Sequence, residues 1–256
     1  MSISAKGPQP APRHRPISTV RISTVALLGI VVAVVIPAGA AALVLSGSID
    51  EQHLPQAIQI TGPVTKVVIA DDDGSIHVTG DPAMSGVSGT ADLKWRGLGN
   101  GRPPLEVRQD ISDGVLTLTK NCLRGTDCGG ADIDIRVPPN VAVQASTSNA
   151  GIEAYHIAGG VDLSTENAGI TANELGSGDA KFHTSNASID VGFVGAPKEI
   201  RADTSNASVT IATDGRTPYF DNVDTSNGET KKDNAQNRYA DNVINVSTSN
   251  GSVTIR

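Results

Sequence analysis

Six near-copies of one phrase, STSNAG, STENAG, HTSNAS, DTSNAS, DTSNGE and STSNGS, place Asn149, Asn167, Asn186, Asn206, Asn227 and Asn250 at steps of 18, 19, 20, 21 and 23 residues. A unit of about 20 residues is too short to bury a core alone. It must stack on its neighbours, which is the logic of a solenoid.

The flanks say what kind of solenoid. Six residues before each Asn stand Val143, Val161, Ala180, Ile200, Asp221 and Ile244, and four before stand Ala145, Leu163, Phe182, Ala202, Val223 and Val246. Three after come Ile152, Ile170, Ile189, Val209, Thr230 and Val253, and five after come Ala154, Ala172, Val191, Ile211, Lys232 and Ile255. Apolar residues recur at period two on both sides of the phrase, the strand period. Thr147, Thr165, Thr184, Thr204, Thr225 and Thr248, two before each Asn, fall on the apolar side, and by the same alternation so does the Asn. Stacked at about 4.8 Å per coil, the six amides are expected to form an inward ladder at the corner between two strands. The small residue after each Asn fits a chain that visits left-handed conformations there. The other reading of such a column, a sugar-binding surface, loses because the register turns the Asn inward.

Further elements extend the pattern. Aligned on Asp73, Val67 and Ile69 precede and Ile76 and Val78 follow, an additional coil with Asp-Gly in place of Asn-Gly. LEVRQDISDGVLTLTK reads as a hairpin with Asp113-Gly114 at its tip. In the fifth coil Thr230 and Lys232 occupy apolar slots, and GETKKDNAQNRYADN is expected to loop out.

No charge occurs from Ile22 to Ile49, and Val25–Leu45 is nearly all apolar. This length spans a bilayer as a helix, and Pro37 is tolerated there. Lys6, Arg13, Arg15 and Arg21 precede it without an acid, which puts the N-terminus in the cytoplasm. The rival is a cleaved signal peptide ending near Ala38-Gly39-Ala40, but apolar sequence continues past that point. The expected organisation is a basic cytoplasmic tail over 1–21, too short to fold, a transmembrane helix over 22–49, a linker over 50–62 and an extracellular domain over 63–256. All 27 acids lie after residue 49 with 16 of the 20 bases, a net charge of −11. That disfavours nucleic acid and anionic lipid surfaces as partners. Cys122 and Cys128, the only cysteines, are expected to form a disulfide in an exported chain.

Signals for chemistry are weak. His14, His53, His77, His156 and His183 share no register. Asp71-Asp72-Asp73-Gly74 lacks the ligand spacing of a calcium loop, and no P-loop or nucleophile elbow occurs. No catalytic, metal or cofactor residue is assigned. Asn186, Asn206, Asn245 and Asn250 head glycosylation triplets, three of them by-products of the repeat. Lys181 and Arg201, on adjacent coils, are the one cationic feature near the middle.

The repeated TSNA/TSNG phrase followed by V-T-I or I-D-V, the two-cysteine loop and the stretch ADIDIRVPPNVAVQASTSNAG together resemble the bacterial putative-adhesin family known as domain of unknown function 4097. The resemblance covers roughly residues 60–256. Glu166 and the region after Asn227 depart from it. It implies a β-strand-repeat solenoid, often behind a membrane segment, with no assigned catalytic residues. The reading is therefore all-β: a parallel β-solenoid, β-helix-like, with coils of about 20 residues, behind one transmembrane helix. Its expected role is non-catalytic, adhesion or interaction with an envelope component or surface glycan. A polysaccharide-acting β-helix enzyme and a purely structural spacer are the alternatives. The topology is open to a direct test: the intact mass of the protein from the membrane fraction should include Val25–Leu45, and a mature N-terminus near Ala41 would refute the anchor.

Overall fold

A computed structural model describes residues 50–97, 103–125 and 128–256. The basic tail over 1–21 and the expected transmembrane helix over 22–49 lie outside these, and no helix long and apolar enough to cross a membrane occurs among the described residues. The described chain is all-β, in nineteen strands. The first seven are β1 (Asp50–Ile60), β2 (Lys66–Ala70), β3 (Ile76–Gly80), β4 (Val87–Gly97), β5 (Leu105–Ser112), β6 (Val115–Cys122) and β7 (Gly130–Val137). Then come six strand pairs, one for each Asn phrase: β8 (Ala142–Ser146) and β9 (Ile152–Tyr155), β10 (Val161–Ser164) and β11 (Ile170–Leu175), β12 (Ala180–His183) and β13 (Ile189–Phe193), β14 (Glu199–Asp203) and β15 (Val209–Ala212), β16 (Phe220–Thr225) and β17 (Thr230–Lys232), β18 (Val243–Thr248) and β19 (Val253–Ile255).

Each pair contributes its first strand to one sheet and its second to the other. The orders are β16-β18-β14-β12-β10-β8-β2-β6-β5 and β1-β4-β7-β3-β9-β11-β13-β15-β19-β17. From β6 and β7 to β16 and β17 all pairing is parallel, and it is in register except where β11 bulges against β13 between Ala172 and Leu175. The coil aligned on Asp73 stacks on the first Asn coil with Val67 opposite Val143 and Ile76 opposite Ile152. Like thus stacks on like, and the two inner faces fill a narrow core. Phe182, the bulkiest residue of its column, lies between Leu163 and the small Ala202, and its ring meets Phe193 edge-on at 6.5 Å.

Two arrangements depart from the sequence reading. First, residues 50–62 are not a linker: β1 pairs along its whole length with β4, antiparallel, and Ile58 is buried. β4, β1 and β5 close the N-terminal end. Gln56 bridges the sheets there by accepting from the Val107 N–H at 3.0 Å and donating to the Val107 carbonyl. The hairpin turn between β5 and β6 has positive φ at both Asp113 and Gly114, as the Asp-Gly pair predicts.

Second, the coils do not stack in chain order. β18 and β19 insert between the fourth coil and the fifth, leaving β16 and β17 outermost. The residues explain it. The last coil in sequence has Ile244, Val246, Val253 and Ile255 in all four core slots, and each is buried. The fifth has Asp221, Val223, Thr230 and Lys232, and a charge cannot sit between two apolar layers without a large desolvation cost. At the end it meets an apolar layer on one side only. GETKKDNAQNRYADN is accordingly not one looped-out excursion: residues 230–232 are strand, and the rest returns across the end. Lys232 Nζ donates to the Asp221 carbonyl at 3.1 Å. Tyr219 bridges to Gln236 and is fully buried, its hydroxyl pushed up to about 12 by burial and by Asp214 and Asp221.

A polar outer coil also blunts two open sheet edges, where inward charges discourage edge-to-edge pairing. Replacing Thr230→Val with Lys232→Ile should therefore produce concentration-dependent association relative to the parent chain, read by light scattering. Unchanged mass over a hundredfold concentration range would show that these residues do not guard the end.

Candidate functional site

The TSN corner is the most regular feature of the molecule. The strands before it end at Ser146, Ser164, His183 and Asp203. Thr147, Thr165, Thr184, Thr204 and Thr248 are buried, and each hydroxyl donates to a carbonyl of the coil beneath: Thr165 to Ala150, Thr184 to Ala168, Thr204 to Ala187 and Thr248 to Ala207, at 3.0–3.3 Å. Thr147 does the same to Gly74, and the less buried Thr225 to Gly251. The acceptor is always the residue just after the neighbouring Asn or Asp73. The inward polar group is thus the hydroxyl, which satisfies turn backbone, and not the amide that the sequence reading expected to point inward.

The asparagines form a continuous chain. Each Nδ2 donates to Oδ1 of the coil before it in space, Asn167 to Asn149, Asn186 to Asn167, Asn206 to Asn186, Asn250 to Asn206 and Asn227 to Asn250, at 2.9–3.0 Å. Asn149 donates to Asp73 Oδ1 at 2.8 Å. All six amides are exposed, however. The expectation that they point inward fails because two-residue alternation holds only along extended backbone. The chain bends after the Thr, and the Asn swings to the solvent side. Left-handed backbone is not the reason for the small residue that follows either. No residue of the six corners has positive φ. A Cβ at Gly251 would stand 1.9 Å from the Ala207 carbonyl oxygen, so close stacking sets the size limit.

The amide chain is directional, and its N–H end meets a carboxylate, a pure acceptor. Beside it the DDDG stretch makes a knot rather than a cation loop. Asp71 takes the Thr slot of its coil, is buried, and accepts from the N–H groups of Asp73, Gly74 and Ala131 at 3.0–3.2 Å. The Lys120 ammonium lies 3.3–3.6 Å from Asp71, Asp72 and Asp73 and donates to the Gly129 carbonyl. Burial opposes its charge, but these carboxylates hold it above the ordinary lysine range. The position a metal would take is filled by the chain's own cation. Among the described residues no group of three or more His, Cys, Asp or Glu is placed to hold a metal ion. Cys122 and Cys128 are disulfide-bonded, with Cα atoms 5.7 Å apart.

Outward positions are where this fold can vary. On the sheet containing β12 and β14, Lys181 and Arg201 are direct cross-strand neighbours in the column Gln144, Asp162, Lys181, Arg201, Asn245, Asn222. Beside its start a cleft of about 350 Å3 is lined by Lys66, Gln144, Asp162, Asp179 and Lys181. On the other sheet, His77 and His156, unrelated in the repeat register, line one cleft with Arg136. Sequence reasoning missed this because β7 and β3 become neighbours across a long connection with no repeat to mark it.

No protein-family model and no curated protein sequence matches the chain. Among solved structures it is similar to a putative cell adhesion protein from Clostridium sporogenes, at 12% identity over 80% of this chain and 99% of that one, with a TM-score of 0.48. It is also similar to putative adhesins from Parabacteroides distasonis, at 11% identity over 82% and 98% with a TM-score of 0.35, and from Parabacteroides merdae, at 14% identity over 82% and 98% with a TM-score of 0.30.

The corner yields an ordering of energies. Thr184→Val leaves the part-buried Ala168 carbonyl without its partner and should cost about 1–3 kcal/mol, whereas Asn186→Ala removes exposed bonds that water replaces and should cost under about 1 kcal/mol. Urea unfolding of both variants measures this. A larger loss from Asn186→Ala would mean that the amide chain, not the hydroxyls, holds the corner.

Proposed function

We propose that the chain is a non-catalytic cell-envelope surface protein of the adhesin type. In this reading residues 22–49 anchor it in the membrane, and a solenoid-like domain outside presents polar columns to an envelope polymer or surface glycan. The observation that carries the reading is the in-register outward column from Gln144 to Asn222. Six strands at about 4.8 Å spacing give a flat polar strip roughly 24 Å long. Its residues are donors and acceptors of mixed kind, suited to many weak contacts with an extended chain. Lys181 and Arg201 form its cationic centre and favour an anionic stretch of polymer, although the domain's net charge is negative. A spacer needs no such column, and a hydrolase needs carboxylates placed on either side of a scissile bond.

Co-sedimentation of the full chain with purified cell-wall polymers and an oligosaccharide array tests the reading. Binding without release of product is expected. Lys181→Ala with Arg201→Ala should weaken retention severalfold and flatten its dependence on salt. Release of oligosaccharide products, abolished by changing one acid, would overturn it in favour of an enzyme.

A further inference from the structure

The cleft on the opposite sheet is a different kind of surface from the flat strip. It encloses about 410 Å3, within the range of small-ligand sites of about 300–1,000 Å3, where β3, β7 and β9 end. Arg136 and Thr79 are cross-strand neighbours at its wall, and Pro82 and Pro139 supply apolar surface. His77 and His156 stand at its sides. Tyr155, opposite Thr79 in the next strand, holds the His77 ring edge-on at 5.5 Å. His77 is further placed by Thr79 Oγ1 at 3.3 Å and Asp134 at 3.8 Å. Arg136 is exposed and, unlike the other groups, has neither an ion pair nor a side-chain hydrogen bond among the described residues.

The rim is also strained. Only three described non-glycine residues have positive φ. One is Asp113 in the hairpin turn. The other two, His156 at 59° and Glu174 at 55°, are joined by a 2.8 Å contact between the imidazole Nδ1 and the carboxylate at this rim. Glycine would relieve a cost on the order of 1 kcal/mol at each. Backbone needs alone therefore do not explain a His–Glu pair. It fixes the imidazole beside the cleft.

We propose that this cleft binds a carboxylate-bearing sugar unit of an acidic glycan, with Arg136 taking the carboxylate and His77 and His156 contacting ring hydroxyls. The free guanidinium fork matches a planar carboxylate bidentately. The proline surfaces suit the apolar face of a sugar ring. Asp81 and Asp134 in the lining, with Glu153 and Glu174 beside it, accept from hydroxyl groups, and they repel a polymer charged at every repeat, such as a polyphosphate chain. The proposal stands apart from the Lys181–Arg201 strip and does not depend on it.

The test is titration of the full chain in detergent with uronate- and sialate-bearing oligosaccharides, their methyl esters, and polyglycerol phosphate. At least one carboxylated oligosaccharide should bind, and its methyl ester should bind at least tenfold more weakly. Arg136→Gln should lose at least tenfold, with partial recovery in Arg136→Lys. His156→Gly should keep or raise the melting temperature yet weaken binding, a split that a purely structural role would not produce. Lys181→Ala with Arg201→Ala should leave this binding intact while weakening polymer retention, so the two sites fail separately. Binding of no carboxylated sugar, equal binding of the methyl ester or of polyglycerol phosphate, or binding unchanged in Arg136→Gln would overturn the assignment.

Discussion

One contact recurs at every corner and sets the rest: a threonine hydroxyl, buried in all coils but the outermost, donating to the carbonyl that follows the Asn, or Asp73, of the neighbouring coil. A buried carbonyl without a partner is costly, and a turn has no strand ladder to supply one. The hydroxyl supplies it from the next coil while its methyl completes the apolar column. The bond is made only when adjacent coils are in register. Backbone satisfaction and side-chain stacking therefore enforce the same alignment, and strand slippage, which would turn the core outward, is opposed twice. The exposed amides run parallel to this inner row and add direction.

The same constraint explains the ends. A repeat that stacks like on like has no natural stopping point, so each end must be made different. At one end antiparallel strands turn the ladder aside, and Gln56 joins the sheets where a further strand would have paired. At the other, a coil carrying Asp221, Thr230 and Lys232 in core slots is displaced to the outside. That displacement, with the apolar last coil drawn inward, follows from burial cost and overrides chain order.

Much of this was legible in the sequence. The strand pairs, their alignment on Asn and on Asp73, and the hairpin at Asp113-Gly114 follow from period-two patterning and turn chemistry, which act over a few residues. What was not legible depended on neighbours distant in sequence. The polar slots of the fifth coil marked an anomaly but not its position in the stack, since that is decided by competition with a later coil. β1 looked like a linker because an edge strand needs few apolar residues. The inward assignment of the Asn extended strand alternation past the point where the strand ends. The Arg136 cleft was invisible because it lies where the pre-repeat strands join the repeats.

The inner columns leave little freedom: a change there is felt by two neighbouring coils, as the 1.9 Å approach at Gly251 illustrates. Specificity must then be carried by outward residues, and the two outer faces use them differently. One offers a long column with a cleft only beside its start, where, in the function proposed, affinity would come mainly from adding contacts along a polymer. The other is interrupted by the ends of β3, β7 and β9, and the interruption creates walls. Walls allow desolvation of a single group, and a charged contact gains strength as water is excluded from it. A lone guanidinium in a bounded cleft is for that reason a better discriminator than a pair of cations on a flat sheet, even though the pair carries more charge.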